Sequence, residues 1–273
     1  MSEQRTSWVP ESVDVDVPSA ARIYDYLLGG GHNFAADREI ARKFEEALPG
    51  SREIARLNRA FLRRAVLFMV DAGIRQFLDL GSGVPTVGNV HEIAQQADPR
   101  ARVLYVDNEP VAVAHSQLML ADNDRAAAIE ADLGEPEAIF RSPETERLID
   151  FTEPLGLLMV GVLHFVPDSR DPGAILARYR ERLAAGSYLA VSHFTADTRP
   201  AEMAAMVEVM KRSKDPIYPR SRAEFTALFD GFELVEPGVV STAQWRPTSH
   251  GDLGHGPGRE QIYAGVGRKV AGI

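Results

Sequence analysis

RQFLDLGSGVPT, residues 75–86, decides how the rest of the chain is read. RQFLDL (75–80) is a short apolar run that predicts a buried strand. Gly81 and Gly83 let the backbone turn sharply and approach a ligand closely, because no Cβ intervenes. The next residues, VGNVHEIAQQA, read as a helix whose free N–H groups point back at the turn, an arrangement suited to a carboxylate. Strand, glycine turn and helix in that order open a unit of a parallel sheet, and such sheets bind ligands beyond their carboxyl ends.

The same alternation continues downstream. Strands are predicted over ARVLYVD (101–107), AAAIEAD (126–132), PLGLLMVGVL (154–163) and SYLAVSHF (187–194). Helices follow from Pro110 and from Pro136. Two more run from Asp171-Pro172, a cap and first helical residue, towards Gly186 and over about Pro200–Lys211, and the last spans roughly 221–229. GFELVEPGVV (231–240) and EQIYAGVGRKV (260–270) are strands with no helix between them, so they are expected to pair antiparallel at one edge. The total is a mainly parallel seven-stranded sheet in an α/β, Rossmann-like domain over 74–273. Acids close its first three strands: Asp79, then Asp107, which can accept from both hydroxyls of a ribose, then Asp132, placed to reach an adenine edge. Each acid taken singly also fits a helix cap or strand end; the set on three successive joints favours a nucleoside-bearing cofactor.

Upstream the pattern is helical only. Residues 1–17 lack periodicity and read as a disordered or loosely attached arm. Ser19 caps a helix AARIYDYLL that stops at Gly29-Gly30-Gly31, and a second helix runs from about Ala35 to Leu48. Ser51 is expected to cap a third, with Ile54, Leu57, Phe61, Ala65 and Phe68 on one face until Gly73 ends it. Residues 18–73 therefore form a helical cap or lid, with the glycines as a hinge.

Composition narrows the function. The net charge of −9 argues against nucleic acid as a partner, and Arg56, Arg59, Arg63 and Arg64 read as the solvated face of the third helix. With no cysteine there is no disulfide, thiolate nucleophile or cysteine-held metal. No apolar run is long enough to span a bilayer and the N-terminus is not a secretory signal, so the expectation is a cytoplasmic protein without a membrane partner. No metal site is evident, since His250, His255 and Asp252 fall in a glycine-rich loop and are expected to be exposed. Homo-oligomerisation is left open.

A dinucleotide fingerprint would place a third glycine where Thr86 stands, and the Gly-Lys-Ser/Thr of a phosphate loop is absent. The segment resembles motif I of class I methyltransferases. FLDLGSGVPT, RVLYVDNEP, EADLGEP, VLHFVPD and GSYLAVSH, with ARIYDYLLGGGHNFAADRE and LNRAFLRRAV before them, resemble the actinobacterial S-adenosylmethionine-dependent methyltransferases first catalogued as a domain of unknown function. The likeness covers about residues 18–270. It implies S-adenosyl-L-methionine as cofactor, with Asp79, Gly81, Ser82 and Gly83 at its methionine end, Asp107 and Asn108 at the ribose, Asp132 and Leu133 at the adenine, and Gly161 on the fourth strand end. Pro85, where class I enzymes usually carry a third glycine, departs from the general pattern and is expected in this family.

For chemistry, His164 in GVLHF (161–165) is the first candidate for a general base or acceptor-orienting group; the competing reading is a histidine bonded to a neighbouring loop. His193 at the fifth strand end is second. Tyr24, Asp25, Tyr26, His32, Asn33 and Phe34 cluster around the three glycines; Tyr24 is assigned to catalysis and Tyr26, Asn33 and Phe34 to the cofactor. Tyr218 and Trp245 are weaker candidates for an acceptor pocket. The expected activity is methyl transfer to oxygen or nitrogen of a small molecule. A sensor that binds S-adenosylmethionine without turnover, and a nicotinamide-dependent oxidoreductase, remain as alternatives.

Overall fold

The computed structural model describes residues 9–10, 12–86 and 88–271. Three helices lead, α1 (Ala20–Leu27), α2 (Ala35–Ala47) and α3 (Ser51–Asp71). The alternating part follows as β1 (Gln76–Leu80), α4 (Val90–Ala97), β2 (Arg102–Asp107), α5 (Pro110–Met119), β3 (Ala126–Glu130), α6 (Pro136–Phe140) and α7 (Pro143–Leu148). It continues as β4 (Gly156–Val160), α8 (Pro172–Arg182), β5 (Tyr188–Phe194), α9 (Pro200–Met210) and α10 (Arg222–Ala227), and ends in β6 (Glu233–Leu234), β7 (Val240–Ser241) and β8 (Ile262–Arg268).

The sheet order is β3-β2-β1-β4-β5-β8-β6, with β7 also pairing β8. The first five strands are parallel and β8 runs antiparallel to β5. The strand expected over 231–240 is broken: β6 pairs at Glu233 with Arg268, and β7 pairs at Val240 with Ala264. Eight strands therefore fill seven positions across the sheet. Helix α7 was not foreseen, although Ser142 caps it by accepting from the Thr145 amide at 3.1 Å and Pro143 opens it.

Period-two alternation in the strands assigns the faces. Leu78, Leu80, Leu104 and Val106 enter the core under α8, whereas Phe77, Val103 and Tyr105 enter the core under α3 and α4. Asp79 and Asp107 share the parity of Phe77 and Tyr105, so both acids emerge on the side of α3. The third cluster joins Ile23, Phe44 and Ile54 of the leading helices to Met203, Met206 and Met210 of α9. This cluster roofs the carboxyl ends of β1 and β4, where the strand order reverses.

Two local expectations are corrected. Ser51 is the first residue of α3 rather than its cap; the cap is Gly50 at φ +95°, and the Ser51 hydroxyl donates to the Leu48 carbonyl. Arg64 is buried rather than solvated: its guanidinium donates to the carbonyls of Trp245 at 2.8 Å and Thr242 at 2.5 Å and ion-pairs with Asp252. Of the arm over 1–17, residues 1–8 and 11 lie outside the described residues; within the rest, Val13 is buried and the Val17 carbonyl accepts from Arg22. No helix among the described residues is long and apolar enough to cross a membrane.

Candidate functional site

The turn after β1 is shaped by what a side chain would hit. Gly81 has φ +70°, and a Cβ there would lie 2.2 Å from Val162 Cγ2. Gly83, at φ +68°, faces open space. The Gly81 and Ser82 amides donate to the Val106 carbonyl, and the Gly83 amide donates to Asp107 Oδ2 at 2.7 Å. The other carboxylate oxygen of Asp107 accepts from the Glu109 amide at 2.8 Å. Asp107 thus ties the turn after β1 to the turn after β2.

Asp79 differs. It is 5% exposed, and its carboxylate accepts no hydrogen bond from any described residue. Burial pushes its carboxyl up to about 7; Arg59 draws it down and Asp107 raises it further. Asp107 is pushed up to about 6 by burial, against the pull of its two amide donors.

Both acids open into a cavity of about 340 Å³ under α1 and α3. Gly81, Ser82, Gly83 and Asn108 line it, as do Asp132 and Leu133 beyond β3 and Gly161 and His164 beyond β4. Asp132 pairs with Arg170 at 2.9 Å and accepts from the Gly134 amide at 2.8 Å. Gly161, at φ +75°, lets Asn58 Nδ2 approach; a Cβ there would be 2.9 Å away. Tyr24 also lines the cavity, its hydroxyl donating to the Ala55 carbonyl at 3.0 Å and accepting from Asn58 at 3.1 Å. His164 is 2% exposed, and its Nδ1 has no hydrogen-bond partner among the described residues, so the loop-bonded reading does not hold for that nitrogen. Desolvation, with His193 and Arg220 adding to it, holds its imidazole well below the usual histidine range.

Other sequence candidates lie away from the cavity wall. His193 is fully buried behind it, with Nδ1 on the Phe194 carbonyl at 2.7 Å and Nε2 against Arg220 at 2.7 Å. Because the guanidinium can only donate, Nε2 accepts and the ring is the neutral Nδ1–H tautomer. Asn33 donates to Asp25 at 2.8 Å and to the Gly30 carbonyl at 3.0 Å, Tyr26 packs under Arg52, and Phe34 lies against Arg22. A Cβ on Gly30 would sit 1.9 Å from Asp25 Oδ1, so this glycine is there to admit the aspartate. Trp245 is buried in the core against Phe61 and Phe68, and Tyr218 is partly exposed; neither lines the cavity.

Several residues in the cavity wall and behind it carried no sequence signal. Asn58 links Tyr24 to Ser192, whose hydroxyl donates to it at 2.5 Å. Arg59, read as solvated, lines the cavity and donates to the Gly88 carbonyl at 2.7 Å. Glu109 takes Arg22 of α1 at 2.7 Å and Lys214, binding the roof to the turn that carries Asp107. Arg220 holds the loop after β4 through the carbonyls of Leu163 and Val166 and through Asp168. Helical and strand periodicity is blind to such pairs, which join residues far apart in the chain.

The profile of the family described as S-adenosyl methyltransferase matches residues 6–270. A crystal structure from Thermobifida fusca YX, provisionally assigned as a methyltransferase, is 41% identical with a TM-score of 0.92, covering 97% of this chain and 100% of that one. A DUF574 family protein from Streptomyces avermitilis MA-4680 is 39% identical with a TM-score of 0.90, covering 94% of this chain and 99% of its own. The plantazolicin methyltransferase BamL, solved with S-adenosylhomocysteine, shares the fold at 12% identity and a TM-score of 0.52, covering 92% of this chain and 96% of its own. No curated protein matches. With the profile spanning nearly the whole chain and the strand-end carboxylates in one crevice, the chain belongs to the S-adenosyl methyltransferase family and is an S-adenosyl-L-methionine-dependent methyltransferase.

Proposed function

We propose that this methyltransferase acts on an oxygen or nitrogen atom of a small molecule held under the leading helices. The observation that carries the reading is the division of one roofed cavity into two chemically distinct ends. One end holds Asp79, the glycine turn and Asp107; the other is walled by Ile54, Phe165, Phe194 and Ile217. At about 340 Å³ the cavity under α1 and α3 lies at the low end of the range for small-molecule sites, which suits a small acceptor and not a macromolecular chain.

The polar end fits the cofactor on its own geometry. A buried carboxylate without a partner, Asp79, calls for a cationic donor, which the methionine ammonium supplies. Asp107 spends one lone pair of each oxygen on an amide and keeps the others for ribose hydroxyls. The bare face of Gly83 admits the close approach of a ligand. Asp132 and Leu133 then stand at the adenine, with Arg170 fixing the aspartate. Bound there, the cofactor supplies an electrophilic methyl carbon on a sulfonium.

The chain's own work is alignment and proton handling. Transfer is an in-line displacement: the acceptor atom bonds the methyl carbon while the carbon–sulfur pair leaves with sulfur, and the acceptor's proton must go elsewhere. His164, neutral and with neither ring nitrogen bonded to a described residue, orients the acceptor's O–H or N–H by accepting its hydrogen bond and relays that proton towards water, since its surroundings disfavour a lasting imidazolium. Residues 18–73 act as roof and acceptor wall, seated by Arg22 on Glu109. Methyl-labelled cofactor incubated with a cell extract should put label into low-mass products; label confined to protein or nucleic acid would contradict the reading.

A further inference from the structure

Counting the charges in the cavity wall narrows the acceptor. Among the lining cations, Lys214 is engaged by Glu109 and Arg170 by Asp132. Arg59 donates to the Gly88 carbonyl and its charge acts on Asp79. Arg59 makes no ion pair with a described residue, but it stands at the cofactor's end near Asp79, where the cofactor's own carboxylate is there to take its charge, so no cation is left at the acceptor's end for a carboxylate or phosphate. Among the lining anions, Asp215 accepts from the Ala20 amide at 2.8 Å and Glu109 from Arg22, while Asp79 faces the cofactor's ammonium under the function proposed above.

The remaining wall is apolar. Phe44, Ile54, Met210 and Ile217 are each no more than 4% exposed, and the His164 ring lies between Phe165 and Phe194 at centroid distances of 4.4 and 4.8 Å. Neither ring nitrogen of His164 bonds a described residue; Nδ1 is sealed within the wall, which leaves Nε2 as the nitrogen open to a ligand. An ion placed there would lose its water and gain no countercharge, while one hydroxyl or amine would find an acceptor in the imidazole.

We infer that the acceptor is a small, apolar molecule that carries no carboxylate or phosphate and presents one hydroxyl or uncharged amine, the methylated atom, to His164. The inference rests on the proposed small-molecule function and goes beyond it in naming the class. A protonated amine is excluded because it has no lone pair to attack with.

The full-length protein is tested in two ways. First, methyl-labelled low-mass products formed from a cell extract are passed over an anion exchanger at neutral pH. Label in the flow-through supports the inference and label retained on the resin overturns it. Label found only in macromolecules defeats the small-molecule reading itself, so the two failures are distinct. Second, the protein saturated with S-adenosylhomocysteine is titrated with 2-naphthol and with 6-hydroxy-2-naphthoate, which share a ring system and a hydroxyl. The neutral probe should bind at least about tenfold more tightly, the effect of leaving one ionised group without a partner. Equal or tighter binding of the carboxylate overturns the inference.

Discussion

The Asp107 carboxylate accepts the Gly83 amide at 2.7 Å, so the acid that closes one strand holds the glycine turn that closes its neighbour. This contact joins two features that the sequence presents separately, a G-x-G turn and an acid 24 residues from Gly83. It makes the carboxylate both a candidate ligand and a brace for the cradle in which the ligand would lie.

Asp107→Ala should accordingly weaken S-adenosylhomocysteine binding by about ten- to a hundredfold, the loss expected when charge-assisted hydrogen bonds worth about 1.5–3 kcal/mol are removed. Asp107→Asn should recover part of the loss, because its amide oxygen can still accept from Gly83. Calorimetric titration checks both; unchanged affinity in the alanine variant would remove the ribose assignment.

The raised acids make binding pH-dependent. Asp79 at about 7 and Asp107 at about 6 hold protons in the folded protein where an unfolded chain's carboxyls have lost them. Their contribution to stability is therefore fully present below about pH 4, the ordinary carboxylate range, and is lost as pH rises through 6 and 7. A cationic ligand on Asp79 needs the ionised form, so affinity should climb between pH 5.5 and 7.5 by at most about tenfold per unit and then level, with protons released on binding. Titrations in buffers of different ionisation enthalpy measure that release; a flat profile would contradict the account.

His164→Ala should lower turnover by about a hundredfold, the low end of general-base contributions, and leave cofactor affinity unchanged. The substitution keeps the backbone contact in which the His164 carbonyl accepts the Tyr218 amide at 2.7 Å. Because the imidazole is held well below its usual range, the wild-type rate should show no inflection from this residue near pH 6.5. Equal turnover in the variant would reduce His164 to a wall residue.

Glu109→Gln should destabilise the fold. Arg22 and Glu109 are each 2% exposed; Arg22 keeps Asp37 at 2.9 Å, so the loss is that of a charge-assisted hydrogen bond, about 1.5–3 kcal/mol, rather than of a wholly unpaired buried charge. For a chain of this size, that corresponds to a fall in Tm of roughly 3–12 °C. Glu39→Gln, at an exposed pair with Lys43, should leave Tm where it is. A thermal scan of the two variants side by side tests the contrast.

The strands and the acids at their ends were legible because both are local. Each strand is a short apolar run, and Asp79, Asp107 and Asp132 fall at or just beyond strand ends whatever the rest of the chain does. The break between β6 and β7 is marked by Pro237-Gly238, a turn pair, but the valines on either side of it, Val235, Val239 and Val240, read together as one strand. Arg59 and Arg64 were misjudged because helical spacing gives a direction but not what lies there: the cavity for one, the carbonyls of Thr242 and Trp245 for the other. Tyr26, Asn33 and Phe34 point to the cofactor as members of a polar–aromatic cluster around three glycines; in the structure Asn33 bonds Asp25, and the two rings pack against Arg52 and Arg22, contacts that the cluster alone does not reveal. Arg220 could not be found at all, since its four partners come from segments that are joined only in the folded chain.

Whether the crevice beyond β1, β2 and β3 encloses the adenosyl sulfonium is read from a crystal structure with S-adenosylhomocysteine. Ribose hydroxyls are expected within about 3 Å of the Asp107 carboxylate, and the ligand's amino group on Asp79. A ligand seated elsewhere, or bound with Asp79 and Asp107 turned away from it, would contradict the account.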